Sequence, residues 1–302
     1  MVDWPSYNRS LVRRGEILFS YDFLDSWDSD LEIMNKNKKG KPFTFPDSFI
    51  LVIGYIRYSF HLPYRQTEGI IKATGKSLPD HPSYGHICKR INKLNIHINN
   101  SKIDDDDDLI IAVDSTGIKI TNRGQWMYDK WGCKTKKMRK KGYLKIHIAV
   151  DIKTKEILAL EVTDEKVHDG KIMPKLIERL LKRSNKNKNF HIKSVLADGA
   201  YDSNNNFKHL ENKKIQTGIK VRKNSIIARK NNILRNIEVN SQITDLLKWK
   251  KSRKYGSRWI AETVFSSIKR MFGEHTSAIR FQNMVKEMMI KVSLYNLFRR
   301  IA

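Results

Sequence analysis

Between Tyr255 and Phe272 the chain reads YGSRWIAETVFSSIKRMF, a stretch whose polar residues are spaced for chemistry. At about 100° per residue, a helix here gathers Ile260, Ala261, Val264, Phe265, Ile268, Met271 and Phe272 on one broad side. On the other side Arg258, Glu262 and Lys269 fall within roughly 40° of one another, because offsets of four and seven residues nearly repeat the turn. Tyr255 joins that stripe if the helix reaches back past Gly256 and Ser257. One acid among fixed cations fits an exposed helix laced by ion pairs. It also fits a carboxylate that holds a metal beside groups that hold phosphates.

Two further acids bear on that choice. Asp114 follows the apolar run LIIAV (Leu109–Val113) in AVDSTG, and Asp198 follows SVLA (Ser194–Ala197) in LADGAYDS. An acid at a strand end is commonly a turn former, and Gly117 and Gly199 support that reading of each taken singly. Taken together, two acids at strand ends beside a helix offering Glu262 make a site for Mg²⁺. That hard cation takes carboxylate oxygens and leaves positions for water or phosphate oxygens. A pair of such ions activates a water or a 3′-hydroxyl and stabilises the oxygen leaving phosphorus, so no protein nucleophile is needed.

The elements that must position these acids are legible in outline. Gly142–Val150, GYLKIHIAV, alternates strictly, with Leu144, Ile146, Ile148 and Val150 facing one way and Tyr143, Lys145 and His147 the other. Asp151–Lys155 reads as a turn and EILALEV as the returning strand; Asp169–Leu181 is an amphipathic helix. Then come SVLA, a helix near Asn204–Leu210 and a short strand around Ile215–Ile219. Strands first, then alternating helices and strands, then a terminal helix predict a mixed sheet covered by helices. Upstream, NNSKIDDDDD (99–108) reads as a solvated acidic linker, or as a phosphate mimic that fills a basic groove when DNA is absent. Before it, three helices are expected. One opens at Pro46-Asp47 and carries Phe49, Ile50, Ile53 and Ile56, a second begins at Pro63, and a third begins at His81-Pro82. They can form a helix-turn-helix-like unit presenting Tyr84, His86, Lys89, Arg90 and Lys93 to a groove, or a plain packing and dimerisation module.

Composition narrows the partner. The 302 residues carry 58 Lys and Arg against 32 Asp and Glu, a formal charge of +26, which favours a polyanion such as nucleic acid. The longest apolar run, near Phe49–Ile56, is too short to span a bilayer, and the N-terminus lacks the pattern of a signal peptide. The only cysteines, Cys88 and Cys133, form no CxxC pair, consistent with a reducing cytoplasm and neither a disulfide framework nor a zinc site. The expectation is a cytoplasmic, nucleoid-associated protein without a membrane segment.

With two, three and six residues between them, Tyr255, Arg258, Glu262 and Lys269 reproduce the Y-R-E-K signature of bacterial and archaeal insertion-sequence transposases of the DDE class, which the chain resembles. AVDSTG and LADGAYDS look like the segments holding that family's first and second aspartates, and EVTDEKVHDGK resembles the stretch before its first helix. The resemblance covers Leu109–Lys269 well and the N-terminal hundred residues more loosely. It implies an α/β, RNase H-like mixed five-stranded sheet flanked by helices (109–302). A small all-α, helix-turn-helix-like end-binding or dimerisation domain (1–108) precedes it. It further implies Asp114, Asp198 and Glu262 as the catalytic, metal-binding triad for two Mg²⁺ ions, with Mn²⁺ able to substitute. Tyr255, Arg258 and Lys269 would contact DNA phosphates near the element end. Asp151 and Asp202 are rival acids, read as a hairpin turn and as the cap of the following helix. Better-known members insert a β-rich segment between the second aspartate and the glutamate, with a tryptophan that holds a flipped base. Here that interval is short, so Trp126, Trp131 and Trp249 are not assigned that role and core packing or a surface contact is the expectation for each.

Three basic segments without acids flank the proposed catalytic stretches: Lys130–Lys145, Lys213–Arg235 and Lys248–Arg258. They are either solvated loops or, as favoured here, a track of phosphate contacts that gives affinity and little sequence choice. Lys89 and Arg90 are the expected DNA contacts of the N-terminal helices. His147 reads either as a satisfied sheet histidine or as a residue turned toward the acids, and His168 either as a helix cap or as a neighbour of the metals. The expected function is a DNA transposase that binds terminal inverted repeats of double-stranded DNA, cuts at the ends and joins 3′-hydroxyls to target DNA, as a homodimer in the synaptic complex. The alternatives are an RNase H-like nuclease without strand transfer and a non-catalytic DNA-binding derivative.

Overall fold

A computed structural model of the chain describes residues 3–74, 78, 80–98, 108–120, 143–187 and 190–301. The acidic segment 99–108, apart from Asp108, lies outside the described residues, as do 130–142 of the first basic segment, Trp126, Trp131 and Cys133. By internal contacts the chain divides into two compact units, Met1–Asn99 with Met271–Gly273 and Ser277–Ala302, and Asn100–Arg270 with Glu274–Thr276. The sequence reading draws one boundary, at 108/109; grouping by contacts also takes 277–302 into the first unit.

The first unit is helical. It holds α1 (Trp4–Leu18), α2 (Trp27–Asn35), α3 (Asp47–Ser59), α4 (Tyr64–Thr74), α5 (Tyr84–Lys93) and the C-terminal helix Phe281–Arg300. α1 and α5 start where side chains satisfy free amides: Asp3 accepts from Ser6 N and Ser83 from His86 N. α3 is the central helix, burying the expected Phe49, Ile50, Ile53 and Ile56 together with Tyr55 and Tyr58, against α4, α5 and the C-terminal helix. Phe23, Trp27, Phe45 and Phe49 form an aromatic cluster with centroids 4.9 to 6.3 Å apart. Each such pair contributes about 0.5–1.5 kcal/mol beyond the area it buries. α1 and α2 were not foreseen, and α1 explains why: only its Ser10 and Leu18 are buried, so it carries little apolar periodicity to read.

The second unit is built on a mixed five-stranded sheet in the order β3-β2-β1-β4-β5. Its strands are β1 (Asp108–Lys119), β2 (Tyr143–Asp151), β3 (Ile157–Asp164), β4 (His191–Ala197) and β5 (Gln216–Ile219). β1 pairs antiparallel with β2, and β2 with β3; β4 runs parallel to both β1 and β5. This is the RNase H-like sheet that the resemblance implies. The β2–β3 turn is held by Asp151, whose carboxylate accepts from Lys153 N, Thr154 N and Thr154 Oγ1, as the hairpin reading requires. Helices α6 (Met173–Asn187) and α7 (Asn204–Asn212) bury Met173, Leu176, Ile177, Leu180, Phe207 and Leu210 in a core with Leu109, Ile111 and Val113 of β1. Leu144, Ile146, Ile148 and Val150 are buried as well as Ala149, so the sheet is covered on both faces. Further on come α8 (Ile233–Thr244), α9 (Leu246–Ser252) and α10 (Trp259–Phe272).

Two local expectations are corrected. β1 does not stop at Val113; it continues to Lys119, because β2 pairs with it along its whole second half. Asp114 is therefore interior to a strand, opposite Ile148. Asp202 does not cap α7. Ser203 does, accepting from Asn206 N, while Asp202 is buried and takes hydrogen bonds from Arg235, Arg222 N and Ser225 Oγ.

Candidate functional site

The strand register brings the two aspartates together. Ala112 pairs with Leu196 in the parallel β1–β4 ladder, so two residues onward Asp114 and Asp198 continue the same register. Neighbouring strands lie about 4.8 Å apart, which makes these side chains neighbours across the sheet. β4 ends at Ala197, and Asp198, still extended, turns its carboxylate back to accept from Ala200 N at 2.9 Å. Asp114 sits where the parallel partner has ended and the antiparallel partner continues, a gap in the sheet that leaves its side chain only 15% exposed.

α10 brings the third acid. Its buried side carries Ala261, Val264, Phe265 and Ile268, and Glu262 stands 58% exposed on the other side. The helix begins at Trp259, behind a 3₁₀ turn from Tyr255 to Arg258 that is entered through Lys254 in the left-handed region, φ 51°. Tyr255 is thus placed by that turn and not by helical spacing, with its ring 5.0 Å from that of Trp249.

Arg258 ties the acids together. Its Nη1 donates to Asp114 Oδ2 at 3.2 Å and its Nη2 to Glu262 Oε1, so one guanidinium bridges the strand acid and the helix acid. Burial raises the Asp114 carboxyl to about 6; Arg258 opposes that rise, and the negative charges of Asp198 and Glu262 add to it. Tyr255 is also raised, first by burial, and it feels Arg258, Asp198 and Asp114. Lys269 reaches over β1 and donates to Thr116 Oγ1 at 2.9 Å. A cleft of about 490 Å³ runs past these groups, lined by Asp114, Thr116, Glu262, Ser266, Lys269 and Arg270 among others.

The sequence reading missed part of the surroundings. Tyr201, nearly fully buried, lies close enough to Asp169, Asp114 and Asp198 that their charges raise its phenol further above the level set by burial. Asp169 pairs with Lys145 at 2.7 Å, and His147, fully buried and lowered to about 4 by desolvation, bonds Thr163 Oγ1 at 2.9 Å. His147 is accordingly a neutral sheet histidine satisfied at Nε2 alone, its buried Nδ1 facing Asp169 Oδ1 at 3.6 Å without a hydrogen bond, and His168 is a cap, accepting from Gly170 N. Thr116 was within reach of the sequence: it stands two residues from Asp114 and so on the same strand face. Trp249 is core, donating its indole N–H to Glu238.

In the helical unit the two expected DNA contacts part company. Lys89 is exposed on α5. Arg90 is buried, donates to Asp47 Oδ1 at 2.7 Å and lies over the Phe43 ring, so it holds α5 to α3. The basic segment Lys213–Arg235 is likewise partly structural, since Arg235 pairs with Asp202 and Arg222 Nε donates to Gly199 O.

Asp114, Asp198 and Glu262 are hard oxygen donors, and in donor type and charge they suit a divalent metal. Among the described residues no three His, Cys, Asp or Glu side chains are grouped so as to hold one. The positive charge between Asp114 and Glu262 is the guanidinium of Arg258. Among the described residues no helix is long and apolar enough to cross a membrane.

Solved structures similar to this chain include the piggyBac transposase synaptic complex with hairpin DNA, at 11% identity over 94% of this chain and 73% of that one, TM-score 0.41. The Drosophila P element transposase strand transfer complex matches at 12% identity over 89% and 68%, TM-score 0.34. Two family models, each described as a transposase DDE domain, match residues 105–297 and 12–123. The first spans more than half of the chain and takes in all three acids, so this protein belongs to the DDE transposase family, whose members use a divalent metal.

Proposed function

We propose that this chain is the transposase of an insertion sequence, binding the terminal inverted repeats of its element, cutting at the ends and joining the freed 3′-hydroxyls to target DNA. The observation that carries the reading is the matching register of Asp114 and Asp198 on adjacent parallel strands, with Arg258 bridging Asp114 and Glu262. In this reading Asp114, Asp198 and Glu262 would hold two Mg²⁺ ions, for which Mn²⁺ would substitute. When bound, such ions activate the attacking water or 3′-hydroxyl and stabilise the leaving oxygen.

The protein's own groups then have separate tasks. Arg258 gives up Asp114 and Glu262 and takes phosphate oxygens instead, acceptors of the same charge and geometry. Lys269, steadied by Thr116, holds the neighbouring phosphate at the far end of the cleft, and Tyr255 supports the DNA beside Asp198. Burial of Asp114 strengthens the charge interactions made by its carboxylate. Lys89 contributes a backbone contact from the helical unit, and two copies pair two element ends.

The test is an oligonucleotide duplex ending in the repeat that flanks the gene, incubated with Mg²⁺ and a target plasmid. Asp114→Asn, Asp198→Asn and Glu262→Gln should each lower both cleavage and joining by about 10³-fold or more, several kcal/mol of transition-state stabilisation. Wild-type rates in any of the three would refute the triad. Cleavage without donor ends covalently joined to target would instead identify a nuclease.

A further inference from the structure

The helical unit contains a buried cation with no anion of its own. Arg57, in the last turn of α3, is only 7% exposed. Its Nη1 donates to Leu62 O at 2.7 Å and its Nη2 to Ser277 Oγ at 3.3 Å, while Nε, fully covered, has no acceptor among the described residues. The guanidinium lies over the rings of Tyr58 and Tyr64, at 4.9 and 4.0 Å from their centroids. These neighbours are neutral, so they soften the charge without cancelling it.

The carboxylate that shares Ser277 with Arg57 is already committed. Glu287, 1% exposed, pairs with buried Lys291 at 2.8 Å and accepts from Ser277 N, Ser277 Oγ and Ala278 N. Glu287 is thus occupied by Lys291 and the 277–278 backbone, and no carboxylate bonds Arg57 among the described residues. An uncompensated buried charge is costly, and an anion bound from outside relieves that cost.

Beside Arg57 lies a cavity of about 260 Å³, lined by Tyr64, Asn92, Arg280 and Asn283 among others. Arg280 and Asn283 are the cap position and the third residue of the 20-residue C-terminal helix. That helix start has no side-chain cap bond and no acid in its first turn, and among the described residues the amides of Phe281 and Gln282 have no acceptor. A long helix presents free N–H groups and a partial positive charge at this end. Three features of independent origin therefore meet in one small cavity: a buried unbalanced guanidinium, an uncapped helix start and the exposed cation Arg280 at the rim.

We infer that this cavity is a binding site for a phosphate group, an anchoring contact separate from the carboxylate cluster of the other unit. In a chain of charge +26 the natural source is a backbone phosphate of DNA; free phosphate is the other source with the same chemistry.

The informative variant is Asn283→Asp in the full chain. A carboxylate in the first turn favours the helix itself, so the fold should melt no earlier than wild type, while the cavity is filled with negative charge. Arg280→Gln, at the rim, is the milder second variant. Duplex affinity is measured across a series of NaCl concentrations, and thermal melting with inorganic phosphate against chloride at equal ionic strength. Each variant should lower the salt slope of DNA binding by about one, the loss of a single phosphate contact. Phosphate should raise the melting temperature of wild type and not of Asn283→Asp.

Phosphate stabilisation that is lost in the variant, with unchanged DNA slopes, would assign the site to free phosphate and overturn the DNA source. Wild-type slopes together with equal phosphate shifts in all three proteins would overturn the site altogether. These readouts are of binding, so they are independent of strand transfer: Asp114→Asn should keep the wild-type slope contribution of this cavity even if the proposed chemistry fails.

Discussion

Asp114 shows how one side chain carries a stability cost where a chemical role is proposed for it. Burial raises its folded carboxyl to about 6, above its ordinary value of 3.8. A raised acid costs the fold nothing below its unfolded value and destabilises it progressively as pH climbs through the folded one. Asp114→Asn should therefore stabilise the protein by about 1–3 kcal/mol at pH 8, with the advantage shrinking below pH 6 and gone near pH 4. Chemical denaturation of both proteins across that range is the check, and a variant less stable than wild type at pH 8 would contradict the burial argument. The same substitution should abolish cleavage, so stability and activity move in opposite directions at this residue. Arg258 is the counterweight. Its stripe with Glu262 is visible from spacing alone, but its hold on Asp114 crosses 144 residues and depends on where β1 lies.

Among the elements, the segment after β5 depends most on a single residue. Asp202 is bound by Arg235 Nε and Nη2 as a bidentate pair at 2.7 and 3.0 Å, by Arg222 N at 3.1 Å and by Ser225 Oγ at 2.8 Å. It anchors the basic chain between β5 and α8 next to Gly199, the neighbour of Asp198. Asp202→Ala leaves Arg235 unpaired in a partly buried site and should cost about 3–5 kcal/mol in urea unfolding. A loss below 1 kcal/mol would mean the loop holds without it. The cap reading failed here because Asp-Ser offers two capping residues in succession and sequence cannot say which one faces the helix. Strand positions were legible by contrast. β2 follows alternation, β3 and β4 follow apolar runs, β5 reads only as a short strand, and the acids Asp114 and Asp198 stand out by type, the first now inside β1 and the second just after β4. What alternation could not supply was the length of β1, which is set by its partner β2.

At the scale of the whole molecule the charge of +26 governs association. If six to ten phosphates are contacted across the protein, DNA affinity should fall roughly 10³- to 10⁵-fold between 50 and 200 mM salt, measured by anisotropy with a labelled duplex. A nearly flat response would leave the basic excess without a polyanionic partner. Some of that excess is already used within the fold, since Arg90, Arg235 and Arg253 are paired with Asp47, Asp202 and Glu238. A count of basic residues therefore overstates the number available to DNA.

The sequence by itself determined the five strands, helices α3 to α7 and α10, and the order Tyr255, Arg258, Glu262, Lys269, because hydrophobic period and residue spacing are local properties. Only the tertiary structure decided that Asp114 and Asp198 are neighbours, that Arg258 stands between Asp114 and Glu262, that Arg90 is buried, and that Arg57 lies buried beside an uncapped helix. Each of those depends on pairing between residues distant in the chain. Burial and partners fix whether a charge is available, and neither is written in its immediate neighbours.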